Sequence, residues 1–230
     1  MLYGIMSLLF ITNACADGGG NSVYIDQTNA DQSSLSITQT GSGNQVGDRT
    51  DLITPAFAIE GNNMDLTIIQ DGMNNTVVGN FIGGDSLGSI TQTGSNNIFK
   101  LNQGNFGTNS GKLDATFTGD SNQAEINMGT TASTNNYDYK LSVTGNLNNI
   151  TSTLNSKYIV NDITIAGNSN ALTTVQNGVN GTSATPGHKI TTTVIGDNNI
   201  LSITQNGTTT PNIVTLNVTG TGTNTTIIQH

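Results

Sequence analysis

Short segments in which apolar and polar residues alternate recur along most of the chain. Each is broken by a glycine and, three residues later, usually an asparagine. The clearest copies are Ser34-Leu-Ser-Ile-Thr-Gln-Thr-Gly-Ser-Gly-Asn44, Leu66-Thr-Ile-Ile-Gln-Asp-Gly-Met-Asn-Asn75 and Ser86-Leu-Gly-Ser-Ile-Thr-Gln-Thr-Gly-Ser-Asn-Asn97. Alternation with period two is what a strand with one buried face requires. Turn glycines fall at Gly41 and Gly72, then at Gly94, Gly119, Gly145, Gly167, Gly196 and Gly220, every 22 to 29 residues from Gly94 onward. A repeat of that length marks a stacked architecture.

Parity is kept on both sides of the glycine. After it, Asn199, Leu201, Ile203 and Gln205 share one face, as do Asn97, Phe99, Leu101 and Gln103, and Asn122, Ala124, Ile126 and Met128. Before it, the matching face holds Leu35, Ile37 and Gln39, then Leu113, Ala115 and Phe117, Leu141 and Val143, Ile163 and Ile165, and Leu216 and Val218. Each unit therefore reads as strand, Gly-x-x-Asn turn, strand. Glycine suits a turn residue with positive φ, and asparagine tolerates such turns and bonds locally to backbone. A count of nine from a glycine reaches Gln70 (from Gly61), Gln103, Gln176, Gln205 and Gln229; with Gln39 and Gln92 these are the glutamines expected to form ladders. The expected asparagine ladder is Asn44, Asn75, Asn97, Asn122, Asn148, Asn170 and Asn199. The Gly-x-x-Asn end is nearly constant in length, whereas the other end varies, as insertions in solenoids do. Residues 47–63 and 76–85 blur the register.

One such unit cannot stand alone. It offers about four to five apolar side chains at ~1.5–3 kcal/mol each, against a backbone ordering cost of ~1–2 kcal/mol per residue. Stacking supplies the missing terms through backbone pairing, apolar rows and amide ladders. The fold predicted is all-β, a β-solenoid of strand-turn-strand repeats whose arms form two parallel cross-β sheets. Eight or nine coils at a spacing of ~4.8 Å make a rod of ~40 Å. The solenoid is expected over 34–230, after a short glycine-rich leader and half repeat over 17–33. Leu216 to Gln229 keeps the repeat chemistry and Asn21 to Gln27 forms a half unit, so both ends are expected to suit addition of another chain.

Composition sharpens this picture. Only 9% of the 230 residues are charged and 33% hydrophobic, with 28 glycines and 3 prolines. Disorder of that hydrophobicity normally carries high charge and few β-branched residues; here Ile, Val and Thr recur in order. Six Lys and Arg against a net charge of -9 argue against a nucleic-acid partner, which needs a basic footprint, and against docking on anionic membranes. Residues 1–16 read as an export signal: an apolar run Ile5 to Thr12, then Ala14-Cys15-Ala16 as a small-x-small cleavage site. No Lys or Arg precedes the run. Two other readings are a lipoprotein cysteine at Cys15 and a buried first strand. Apart from that run, no stretch approaches the ~20 apolar residues of a membrane span.

These repeats resemble the curlin family, whose unit has the form Ser-x5-Gln-x4-Asn-x5-Gln. Ser86, Gln92, Asn97 and Gln103 match it in full; Ser33, Gln39 and Asn44 match most of it; Asn170 with Gln176 and Asn199 with Gln205 match its second half. The resemblance covers most of residues 21–229. It implies an extracellular, amyloid-like fibre of biofilm matrix or surface adhesion, built from copies of itself. It also implies secretion through an outer-membrane pore and a nucleating partner subunit. The chain departs from the pattern in three respects. Its units are longer, its first-strand glutamine is often apolar (Phe117, Val143, Ile165, Val194, Val218), and the glycine-rich secretion segment shrinks to Gly18-Gly19-Gly20-Asn21. A monomeric surface rod and a phage structural protein with curlin-like repeats are the alternatives.

Catalytic chemistry is not expected, and no cofactor or metal site is read from the chain. The two histidines are His188, beside a loop Pro-Gly, and His230; no phosphate loop or nucleophile elbow occurs. Asp120 and Asp197, directly after turn glycines, read as solvated turn carboxylates. Outward pairs such as Ser36/Thr38, Ser89/Thr91, Thr116/Thr118, Ser142/Thr144 and Thr191/Thr193 resemble the threonine rows of ice-binding solenoids, a rival reading. A polysaccharide-degrading solenoid would need clustered carboxylates, and the acids here are scattered.

Overall fold

The computed structural model describes residues 8–15, 20–27, 32, 34–47, 57–59, 63–79, 87–103, 112, 114–128, 137–155, 159–177, 188–207 and 211–230. Among these there are twenty strands and no helix, and every strand pairing is parallel. The described residues form an all-β solenoid in which one nine-stranded sheet faces a second, divided wall across one core.

The arms that follow the turn glycine form one nine-stranded sheet. It runs from Ser22–Val23 through Gln45–Val46, Thr76–Val77, Ile98–Gln103, Gln123–Met128, Asn149–Asn155, Ala171–Asn177 and Ile200–Asn206 to Asn224–Gln229. The arms that precede it form the opposite wall in two blocks. The first block is Leu8–Cys15, Ser34–Ser42, Asp65–Met73 and Ile90–Ser95; the second is Tyr137–Lys140, Ile159–Ala166, Lys189–Ile195 and Ile213–Thr219, with Val143–Thr144 also paired on Ile159–Ala166. Between the blocks, Thr116 and Thr118 carbonyls accept the Val143 and Gly145 amides at 3.2 Å. A short side pair, Ile25–Gln27 on Phe57–Ile59, extends the early coils. Nine strands at ~4.8 Å give a rod of roughly 40 Å.

The apolar positions read from parity are the core. Leu35, Ile37, Phe117, Leu141, Val143, Ile163 and Val194 are buried in the first wall, and Phe99, Ala124, Ile126, Ile150, Leu172 and Ile203 in the second. Phe99 and Phe117 meet across the core edge to face, centroids 5.7 Å apart and planes at 77°. Where the inner positions turn polar, they bond to one another: Asn161 donates to Ser152 Oγ at 2.9 Å and to Thr174 Oγ1 at 3.1 Å. Leu113 and the side chains of Leu101, Gln103 and Met128 lie outside the described part.

Leu8–Cys15, within the segment read as an export signal, is a strand laid on Ser34–Gly41, with Cys15 opposite Gly41. The blurred register of residues 47–63 and 76–85 resolves in part: Gln45–Val46 and Thr76–Val77 pair in phase, and the remainder mostly lies outside the described residues.

Candidate functional site: the ladders at the turn edge

The Gly-x-x-Asn turns lie one above another along a single edge of the rod. Every turn glycine has positive φ, from 93° at Gly41 to 145° at Gly167. The coil above adds a second constraint. At Gly41, Gly72, Gly94, Gly119, Gly145, Gly167 and Gly196 a Cβ would collide with the carbonyl oxygen of the next turn glycine. Two residues on, the chain is left-handed again, at Asn74, Asn96, Ser121, Leu147, Ser169 and Asn198, with φ of 56° to 59°. This second left-handed residue is not marked in the sequence, because Ser and Leu occupy it as well as Asn and Gly.

The turn asparagines form one continuous column. Each Oδ1 accepts the backbone N–H of the asparagine one coil later: Asn44 to Asn75, Asn75 to Asn97, Asn97 to Asn122, Asn122 to Asn148 and Asn148 to Asn170 at 3.0 Å, and Asn170 to Asn199 at 2.9 Å. Each Nδ2 donates to the next turn glycine carbonyl at 2.7 to 3.0 Å, from Asn44 on Gly72 to Asn199 on Gly220. All seven are buried. Buried carboxamides with every group bonded hold a single geometry, since an unmade bond there carries the full desolvation penalty. The column begins one coil earlier than the spacing indicates: Asn21 Oδ1 accepts the Asn44 amide at 2.9 Å, and its Nδ2 reaches Gly41 O at 3.1 Å. Its far end is Thr223, whose N–H donates to Asn199 Oδ1 at 2.9 Å.

The ladder glutamines fall in both walls, and the count of nine from Gly61 groups Gln70 with the wrong wall. Gln70 precedes its turn glycine Gly72, so it stacks with Gln39 and Gln92 in the first wall. Gln176, Gln205 and Gln229 stack in the second wall, near the other end of the rod. There Gln176 Nε2 donates to Gln205 Oε1 at 3.1 Å and Gln205 Nε2 to Gln229 Oε1 at 3.0 Å. Gln103 stands opposite Met128, and Met128 opposite Leu154, so apolar residues separate it from Gln176. In the first wall, Gln39 and Gln70 send their amides across the core to the Ser22 and Gln45 carbonyls, at 3.3 and 3.1 Å.

Asp120 and Asp197 belong to a second column on the outside of the same edge. Asp120 Oδ1 accepts the Ser95 amide at 2.7 Å, Asn146 Oδ1 the Asp120 amide at 2.7 Å, Asn168 Oδ1 the Asn146 amide at 2.9 Å, and Asp197 Oδ1 the Asn168 amide at 2.7 Å. In this column the later coil accepts from the earlier one, opposite to the asparagine column. The turns at Gly94, Gly119, Gly145 and Gly167 are thereby held by side chains from both neighbours.

At the edge of the rod where the variable loops lie, His188 is fully buried. Its Nδ1 accepts the Asn212 amide at 3.0 Å and its Nε2 lies 3.0 Å from the Asn177 carbonyl. With Nδ1 accepting, the proton sits on Nε2 and the ring is neutral. Burial lowers its pKa from the usual 6.5, opposed by the backbone bonds to Asn177 and Gly207. Burial likewise pushes the Tyr139 hydroxyl far up. Among the described residues no group of three or more His, Cys, Asp or Glu side chains could hold a metal ion.

The fold and its turn edge define a parallel β-solenoid whose coils are joined by amide ladders. No family model, curated protein or solved structure matches the chain.

Proposed function

We propose that the protein is a structural subunit of an extracellular, curlin-like fibre and grows by stacking the coils of one copy on those of the next. The observation that supports this reading is the stack itself. Coils pair in parallel and in phase along the rod, and each end of the described stack is an edge strand, Ser22–Val23 at one end and Asn224–Gln229 at the other. Such edges carry unpaired N–H and C=O groups that template a further strand. The outermost coil also leaves its apolar row incompletely covered: Leu216 and Ile227 are only partly buried. Secretion through an outer-membrane pore, with cleavage after Ala16, would strip Leu8–Cys15 from Ser34–Gly41 and free that edge as well. A nucleating subunit is the partner this assembly calls for.

Electron microscopy of the purified, processed protein with thioflavin binding tests the reading, alongside sedimentation velocity. Fibres of the rod's width are expected. A protein that stays monomeric across a wide concentration range is a surface rod, and the fibre reading is then lost. The threonine-row reading calls for unbroken hydroxyl rows. Register places Ile69 between Thr38 and Thr91, and Asp162 beside Thr191. A thermal-hysteresis assay separates the two.

A further inference from the structure

Seven buried side-chain atoms among the described residues have no hydrogen-bond partner in the protein, and five of them fall in one stretch of the rod. They are the Tyr139 hydroxyl, Asn161 Oδ1, Gln176 Oε1, Thr192 Oγ1 and Asn212 Nδ2. Buried polar groups in folded proteins are almost always bonded, so a cluster of exceptions points to a guest that bonds them. Three of the five stand on one wall in successive coils. Tyr139 lies opposite Asn161, and Thr192 lies opposite Ile163, two residues along from Asn161. All three residues are buried.

Asn161 shows what the guest must supply. Both its amide protons are committed, to Ser152 Oγ at 2.9 Å and to Thr174 Oγ1 at 3.1 Å. Its Oδ1 is left as an acceptor with no donor. Thr174 Oγ1 in turn lies 3.1 Å from Ser152 Oγ, so that pair keeps one hydroxyl proton beyond the bond between them. Burial pushes the Tyr139 pKa up, so its proton stays on and is available to donate. Oxygens lacking donors thus share this stretch of core with hydroxyls lacking acceptors, and none of these side chains is charged. A small molecule that both donates and accepts fits that set, and water does so with two to four polar partners.

We propose that ordered water occupies the core here and joins Tyr139, Asn161 and Thr192 across three coils. Ser152, Asn161 and Thr174 then belong to a hydrated belt inside the stack. Such a belt lies within one copy and is independent of fibre growth.

Two readouts on the full chain test this. The first is the sign of the stability change in Tyr139→Phe and Thr192→Val, each of which deletes a hydroxyl and keeps the side chain's shape. Bound water makes each hydroxyl a bonded group, so each deletion should lower the folding equilibrium constant roughly fivefold. An orphaned hydroxyl gives the opposite sign, because its removal ends a desolvation penalty. The second readout is oxygen-17 relaxation dispersion, which counts long-lived waters inside a protein. The wild-type count should exceed that of Asn161→Leu. A gain in stability in either hydroxyl variant, or a water count that Asn161→Leu leaves unchanged, overturns the proposal. A stability difference between sodium and potassium chloride that Asn161→Leu abolishes also overturns it, since a cation is then the guest. Should Asn161→Leu fail to fold, the sign in the two hydroxyl variants decides alone.

Discussion

Asn148 holds Asn170 by the backbone: its Oδ1 accepts the Asn170 N–H at 3.0 Å while its Nδ2 reaches the Gly167 carbonyl at 2.8 Å. One buried side chain thus closes the turn of the coil above it at two points.

Replacing Asn148 with Ala leaves the Asn170 amide and the Gly167 carbonyl without these partners in a buried setting. A loss of about 2–4 kcal/mol is expected, since each orphaned buried group costs ~1–3 kcal/mol. Denaturant titration measures it. An exposed site such as Asn146→Ala should cost less than half as much.

Gly145→Ala should be far more damaging than Gly222→Ala. Both glycines have positive φ, 112° and 73°. Only at Gly145 would the added Cβ meet a neighbouring carbonyl, that of Gly167; nothing lies near it at Gly222. Gly222→Ala is expected to cost about 1 kcal/mol for the left-handed backbone alone. Gly145→Ala must also separate two coils, and should lower the melting temperature several times as much.

Leu147 is left-handed, with φ of 57°, and 62% exposed. Asn occupies the equivalent place at Asn96 and Asn198. Leu147→Asn should raise stability by about 0.5–1 kcal/mol through relief of backbone strain. An unchanged or lowered denaturation midpoint would remove that account.

His188 makes stability depend on pH. Its native pKa lies below the ordinary value of 6.5, so below 6.5 the unfolded chain takes up a proton that the folded chain refuses. The stability contributed by the neutral ring is therefore full above about pH 6.5 and is lost as pH falls from there through the lowered native value. A protonated ring would also set an N–H against the Asn212 amide. His188→Gln should flatten the stability curve in that window, measured by denaturation between pH 4 and 8.

For assembly, the double substitution Asn199→Ala with Gln205→Ala removes one rung from the turn-asparagine column and one from the second-wall glutamine stack. Slower seeded elongation than wild type is expected. Equal kinetics would mean that backbone pairing alone governs growth.

The local pattern of residues was enough for the strand-turn-strand unit, its inner face and its glycine corner. Strand parity, positive φ at glycine and the Gly-x-x-Asn spacing are all properties of a few consecutive residues, and Ile203, Asn199 and Gly196 carry them openly. What one coil does to the next was decided only by the tertiary structure. The loops between coils differ in length, so sequence distance does not state which residues meet. Counting nine from Gly61 therefore put Gln70 with the wrong glutamines, although it stacks on Gln39 and Gln92 in the other wall. Asn21 joins the buried column despite its irregular approach, and Asp120 bonds to an amide 25 residues away. His188, unremarkable beside its loop proline, becomes a buried clamp because two separate coils bring it a donor and an acceptor. Hydrogen-bond partners across coils are set by register, and register is a property of the whole stack.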